Sequence, residues 1–336
     1  MSESDDQGRS PDHDARTARG MTAAQALDRI ETATHGPRPG YRRLHARGSV
    51  FRGTFTPSGT LASLTRAPHL TTTPTEVLVR FSNGSSDPGA PDTEPGVRGM
   101  AVRFLGDGQQ PVHDLVAATF RVFASRNPEG FVELVEVLGV AEPTASPVRR
   151  ALRVPGQVAG FAGLLARHPE SRASMREFGA RRVQASYATT RYDGIHAYIL
   201  VAADGRRSAY RYRWIPDAGE VDLPKPPPAG ITPRFLLDEL RDRLAAGPVG
   251  FTLAFQMAAA DDRTDDPSRA WPEDRKIVVG GALSVTGAHT DSSTLESSLV
   301  FDPTLVPDGV DLSDDPVLRF RGSVYRLAGS RRTAGG

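Results

Sequence analysis

The stretch that most constrains the fold is a pair of short strands joined by a tight turn. His196–Ala202 (HAYILVA) and Ser208–Ile215 (SAYRYRWI) flank Ala203-Asp204-Gly205-Arg206. Asp-Gly favours the tight turns that link antiparallel strands. Tyr210, Tyr212 and Trp214 alternate onto one face, because successive strand residues point to opposite sides. An antiparallel pair with three large rings on one face points to a barrel or a curved sheet. With 38% apolar residues the chain can fill a substantial core.

Val77–Asn83 and Gly99–Leu105 mix β-branched and aromatic residues as strands do, inside a strand-rich block from Tyr41 to about Phe123. Gly84–Gly96, with Pro88, Pro91 and Pro95, reads as an irregular loop. Helical spacing marks Thr22–Thr34, Pro128–Val140 and Pro155–Arg167. Thr232–Gly247 reads as a helix with Thr232 as its N-cap and Pro233 at its first position. Strands return at Phe251–Met257 and Ile277–Ser284, separated by an acidic loop, Asp261–Asp266, that reads as solvated. Ser313-Asp314-Asp315-Pro316 opens a last helix running through Tyr325. There are no repeats and no linker between two cores, so residues 21–336 read as one α+β domain. Met1–Gly20 is polar and lacks the apolar stretch of a signal peptide, so it reads as a disordered leader. The longest apolar run, Val158–Ala166, is too short to cross a bilayer, and a soluble cytoplasmic protein is expected.

A net charge of +1 gives no broad cationic field for nucleic acid. The absence of cysteine removes thiol catalysis, disulfides and thiolate-bound metals. No P-loop, dinucleotide fingerprint, GxSxG or HExxH is present, and the eight histidines are scattered singly. Two polar clusters remain. Arg321 and Tyr325 lie four apart, on one helical face, where a guanidinium favours the phenolate, a hard ligand for ferric iron. His45 sits among arginines in Arg42-Arg43-Leu44-His45-Ala46-Arg47-Gly48, where positive neighbours lower its pKa and suit it to be a base. On spacing alone, an arginine packed on a surface ring and a histidine in a basic surface strand remain open, and neither cluster carries a function by itself.

Taken in order, these clusters resemble the haem catalases over most of the chain, from about Arg42 to Arg332. The distal R-x-x-H-A-[KR]-G is Arg42 to Gly48, with Gly53 and Phe55 following. V-R-F-S is Val79-Arg80-Phe81-Ser82. Asp92-Thr93 leads to Arg98-Gly99-Met100-Ala101-Val102-Arg103-Phe104, and Asp114-Leu115-Val116, Arg126-Asn127-Pro128, Phe131 and Arg167-His168-Pro169-Glu170-Ser171 follow. The proximal end is Phe301-Asp302-Pro303, then Asp315, Leu318, Arg321 and Tyr325.

This resemblance implies an eight-stranded antiparallel β-barrel with surrounding helices and haem b as cofactor. It implies that Tyr325 is the axial ligand of ferric iron, as a tyrosinate, with Arg321 keeping it ionised and His196 and Asp315 holding Arg321. It makes His45 the distal acid/base and Ser82 the hydroxyl that orients its ring. Arg42, Arg80 and Arg332 match propionate-binding arginines, and Phe123 and Phe131 match aromatics on the distal face. The chain departs from the family in informative places. Ala118 stands where the family has an asparagine that helps hold peroxide, the long N-terminal arm is replaced by a short leader, and the chain ends eleven residues after Tyr325, without a C-terminal helical domain. That pattern is similar to the minimal catalase-related peroxidases. The expected function is haem-dependent reduction of hydrogen peroxide or organic hydroperoxides by a small organic reductant, through a high-valent iron–oxo state. Catalase activity, isomerisation of fatty-acid hydroperoxides and non-enzymatic haem binding or sensing are the alternatives. No nucleic-acid or membrane partner is expected, and without exchanging arms the protein is expected to be a monomer or homodimer.

Overall fold

The computed structural model describes residues 15–36, 38–139 and 159–334. Ten strands form one sheet: β1 (Gly48–Pro57), β2 (Thr75–Asn83), β3 (Arg98–Leu105), β4 (Pro111–Ala118), β5 (Tyr192–Asp193), β6 (Tyr198–Val201), β7 (Arg207–Pro216), β8 (Val249–Met257), β9 (Ile277–Ala288) and β10 (Val310–Leu312). Their order is β10-β6-β7-β5-β4-β3-β2-β1-β9-β8, and a further β7–β8 pairing closes the ring. Eight strands therefore make a closed antiparallel barrel, with β6 and β10 continuing from the β7 edge.

Period-two alternation fills this barrel. Tyr210, Tyr212 and Trp214 point inward with Phe51, Phe55, Phe81, Phe104, Phe251 and Phe255. Phe55 meets Phe104 and Trp214 edge-on, with centroids 5.2 and 6.1 Å apart, an arrangement aromatic quadrupoles favour. These rings fill the barrel core, and the cavity described below lies outside its wall.

At one end of the core, His69 from the short helix α2 (Pro68–Thr71) faces His113 of β4, Nε2 to Nδ1 at 3.0 Å. Burial drives His69 down to about 4 and His113 well below the ordinary value of 6.5, so both are neutral in the fold. Above pH 6.5 neither state of the chain binds these protons. Below it only the unfolded chain does, and stability is lost as pH falls. The apoprotein's urea midpoint is expected to drop between pH 6.5 and pH 4, and the drop to be shallower in His113→Asn. An unchanged slope in that variant would refute the assignment.

The helices are α1 (Ala23–Ala33), α2, α3 (Pro128–Gly139), α4 (residues 159–167), α5 (Ser171–Gly179), α6 (Phe235–Ala246), α7 (Ser292–Ser298) and α8 (Pro316–Ala334). Thr22 and Gln25 form a reciprocal capping box at α1, the Gln25 N–H donating to Thr22 Oγ1 at 3.1 Å and the Thr22 N–H to Gln25 Oε1 at 2.9 Å. Its apolar stripe, Ala23, Ala26 and Ile30, packs against Val132 and Val135 of α3 and Phe320 of α8. Among the described residues, no helix is long and apolar enough to cross a membrane.

Two expectations need correcting. The helix expected from Thr232 begins at Phe235, with Arg234 at the N-cap position and no side-chain cap of its own. Buried Asp92 supplies the acceptor instead, its Oδ2 taking the Leu236 N–H at 3.3 Å while its own N–H donates to the Pro233 carbonyl at 2.7 Å. Residues 15–20, read as part of a structureless leader, are tied in by a bridge between Arg16 and Thr22 and a hydrogen bond from Thr17 to buried Glu129. Residues 1–14 of that leader, residue 140 of the expected Pro128–Val140 helix and residues 155–158 of the expected Pro155–Arg167 helix lie outside the described residues.

Candidate active site

A cavity of about 360 Å3 lies between the outer face of β2–β4 and helices α1, α3 and α8. That is within the roughly 300–1,000 Å3 of small-molecule and cofactor sites. The sheet side is set by register: Ser82 pairs with Gly99 and Gly99 with Ala118, while Arg80 pairs with Ala101 and Ala101 with Val116. Phe81, Met100 and Ala117 between these rows turn into the barrel core, so the alternate residues face the cavity. From α8 a single stripe faces the cavity: Val317, Phe320, Arg321, Val324, Tyr325, Ala328 and Arg332.

On the sheet side, the His45 Nδ1 lies 3.0 Å from Ser82 Oγ. The His45 backbone is left-handed (φ 53°), a conformation that costs a non-glycine residue of order 1–3 kcal/mol. Arg80 Nη2 holds it there by donating to the His45 carbonyl at 2.9 Å. Gly99 makes room for the ring, since a Cβ there would stand 2.7 Å from both His45 Nδ1 and Ser82 Oγ. Burial, reinforced by Arg80, Arg321, Arg42 and Arg98, pushes His45 down to about 3. Its imidazole is therefore neutral at physiological pH.

Opposite it, four side chains form a relay. Asp315 Oδ1 accepts the Val317 and Leu318 N–H groups (2.8 and 3.1 Å) and so caps α8. Asp315 Oδ2 lies 2.6 Å from His196 Nδ1, and His196 Nε2 lies 2.7 Å from Arg321 Nη1. Arg321 Nη2 donates to the Tyr325 oxygen. Burial lowers the His196 pKa, with Asp315 working against it, so a neutral ring donates from Nδ1 to Asp315 and accepts from Arg321 at Nε2. Burial also acts to lower Arg321, but the charge and hydrogen bond of Tyr325 prevail and its pKa is raised.

Arg42, Arg80 and Arg332 line one end of the cavity. Arg332 is buried and bonded, Nη2 donating to the Leu299 carbonyl at 2.8 Å. Phe131 and Phe123 are wall residues with centroids 4.8 Å apart, and Phe123 also reaches His196 at 6.0 Å, so its ring extends to the Arg321 side. His45, Ser82, Arg42, Arg80, Phe123, Phe131, Arg321, Tyr325 and Arg332 thus converge on one cavity, with His196 and Asp315 directly behind.

Other residues of the quoted motifs hold the fold. Arg103 forms a two-point ion pair with fully buried Asp114 (2.8 and 2.6 Å), and Arg98 Nη2 donates to the Asp92 carbonyl at 2.9 Å. Sequence reasoning missed Glu296, whose carboxylate is held by both Arg42 and Arg80. Its only signal was indirect, because arginines gathered in a protein interior need a counter-charge.

An oxygen donor backed by a guanidinium, apolar walls and a cluster of arginines suit a protein that encloses a flat cofactor bearing carboxylates. Comparison with known proteins narrows this class. The catalase family profile matches residues 5–335, and the chain belongs to the catalase family. It is an oxidoreductase of peroxide chemistry, and haem is the cofactor of that family. A catalase-related peroxidase of Mycolicibacterium paratuberculosis is 42% identical over 94% of this chain and 96% of its own length. One from Synechococcus elongatus is 30% identical over 95% and 91%. Catalase HPII of Mycobacterium avium is 30% identical over 95% of this chain but 47% of its own.

Proposed function

We propose that this protein is a haem-dependent, catalase-related peroxidase that reduces hydrogen peroxide or an organic hydroperoxide with a small organic electron donor. The observation that carries the reading is the pairing, across one cavity, of the Asp315–His196–Arg321–Tyr325 relay with the His45–Ser82 pair.

The residues fit haem. Tyr325 would offer its phenol oxygen to the iron, Arg42, Arg80 and Arg332 would hold the propionates, and Phe123, Phe131, Val317 and Val324 would supply apolar walls. Bound there, haem supplies the oxidation–reduction chemistry. Arg321 holds a positive charge on the Tyr325 oxygen, and the His196–Asp315 pair keeps the guanidinium aimed. His45 donates from Nδ1 to Ser82 Oγ, which leaves Nε2 with its lone pair. That nitrogen takes a proton from one oxygen of the peroxide and delivers it to the other, so water leaves rather than hydroxide.

Ala118 decides between peroxidase and catalase. It stands beside Gly99 in the His45–Ser82 row and offers no hydrogen-bond donor where a second peroxide would need holding. A bulky organic donor needs no such grip. Oxidation of an added aromatic donor by peroxide is expected to be readily measured, with dioxygen release weak beside it. Ala118→Asn should raise dioxygen release relative to donor oxidation by roughly two- to tenfold, the worth of one neutral hydrogen bond of about 0.5–1.5 kcal/mol. Vigorous dioxygen release by the native protein, unaffected by aromatic donors, would make it a catalase.

A further inference from the structure

Three arginines reach one end of the cavity from separate elements: Arg42 from the chain before β1, Arg80 from β2 and Arg332 from α8. A single stretch behind them, at the C-terminal end of α7, ties all three together. Arg80 grips the Glu296 carboxylate through Nε and through Nη2, the latter at 2.9 Å, and Arg42 Nη1 reaches it at 2.9 Å. Arg42 also donates to the carbonyls of Glu296 (2.9 Å) and Leu299 (2.7 Å). Arg332 donates to those of Ser297 and Leu299.

Three guanidiniums so close repel one another. Burial and the charge of Arg80 bring Arg42 down to about 9, and Glu296 opposes them. Glu296 does not line the cavity, so it acts on the arginines from behind. Its grip leaves donors over: Arg80 Nη1, Arg42 Nε and Arg332 Nη1 make no hydrogen bond among the described residues. One carboxylate against three guanidiniums leaves an excess of two positive charges. That excess matches a dicarboxylate, and haem carries two propionates.

We propose that Glu296 is a positioning residue that holds the arginine trio in place for the two cofactor carboxylates, without taking the donors that face them. The inference rests on the haem reading above. Its test compares haem with haem dimethyl ester, whose carboxylates are capped, by absorbance titration of the apoprotein. Because charge-assisted hydrogen bonds are the strong ones, the wild type is expected to prefer haem over the ester by about tenfold or more. Glu296→Gln should weaken haem binding by about tenfold yet leave ester binding within about twofold, with Glu296→Asp in between. Equal losses for both ligands would mean a merely structural role, and tighter haem binding would mean that Glu296 competes with the propionates; either overturns the proposal. If the Gln variant does not fold by circular dichroism, Glu296→Asp carries the same comparison, since it retracts the carboxylate by one methylene. A wild-type protein that binds neither ligand would overturn the cofactor reading itself, whereas normal haem binding with an unshifted preference in the variants overturns only the role of Glu296.

Discussion

Tyr325→Phe protein is expected to purify without a tyrosinate-type haem spectrum, either colourless or with its charge-transfer absorption lost. The substitution keeps the ring that packs beneath the Arg321 guanidinium, 5.0 Å from its centroid, and removes only the oxygen. Arg321 then keeps His196 but loses the oxygen it donates to on its cavity side. Haem would lose its ligand and face an uncompensated cation in the same step. Tyr192→Phe and Tyr187→Phe are the controls. Both rings lie in the barrel core, and the Tyr192 hydroxyl donates to the Tyr187 carbonyl at 3.1 Å. These variants should bind haem normally. A normal haem spectrum in Tyr325→Phe would remove the ligand assignment.

His45→Ala is expected to slow the reaction with peroxide by 10²–10⁴-fold, the usual contribution of a positioned acid–base group, while haem content stays near that of the wild type. His35→Ala, at an exposed histidine, should react as the wild type does. The pH profile is a second readout. Because His45 is held down to about 3, its neutral form persists well into acid. The peroxide reaction should therefore stay flat from about pH 8 to about pH 4 in protein that remains folded. A rate that halves near the ordinary histidine value of 6.5 would show that His45 is not held low in the fold, whereas a His45→Ala rate equal to the wild type's would sink the base assignment.

The hairpin around Asp204-Gly205 was legible because its information is local: turn chemistry at the centre and alternation on either side. β2 and β3 were legible for the same reason, and their register places Ser82 beside Gly99 without any distant contact. Barrel closure was not readable in this way, since β1 pairs with β9, far along the chain, and only resemblance supplied the strand count. The start of α6 shows the limit of local rules. Thr232-Pro233 is a good cap in isolation, but Asp92, 144 residues away from Leu236, offers a buried carboxylate to the helix N-terminus. The site was legible where chemistry follows spacing, as for Arg321 and Tyr325 on one helical face. Glu296 was invisible, because the need for it arises only when Arg42, Arg80 and Arg332 meet.

Asp315 divides its two oxygens between the first turn of α8 and His196. Anyone redesigning the Arg321 side of this cavity therefore cannot treat position 325 as a free variable. Exchanging Tyr325 changes what Arg321 must face, and a new partner for Arg321 changes what His196 and Asp315 must hold. Loosening Asp315 removes a helix cap worth about 1 kcal/mol from the helix that carries Arg321 and Tyr325. Electronic tuning and helix placement are wired to the same carboxylate, so productive variants at this wall should come as linked sets of substitutions rather than as single exchanges.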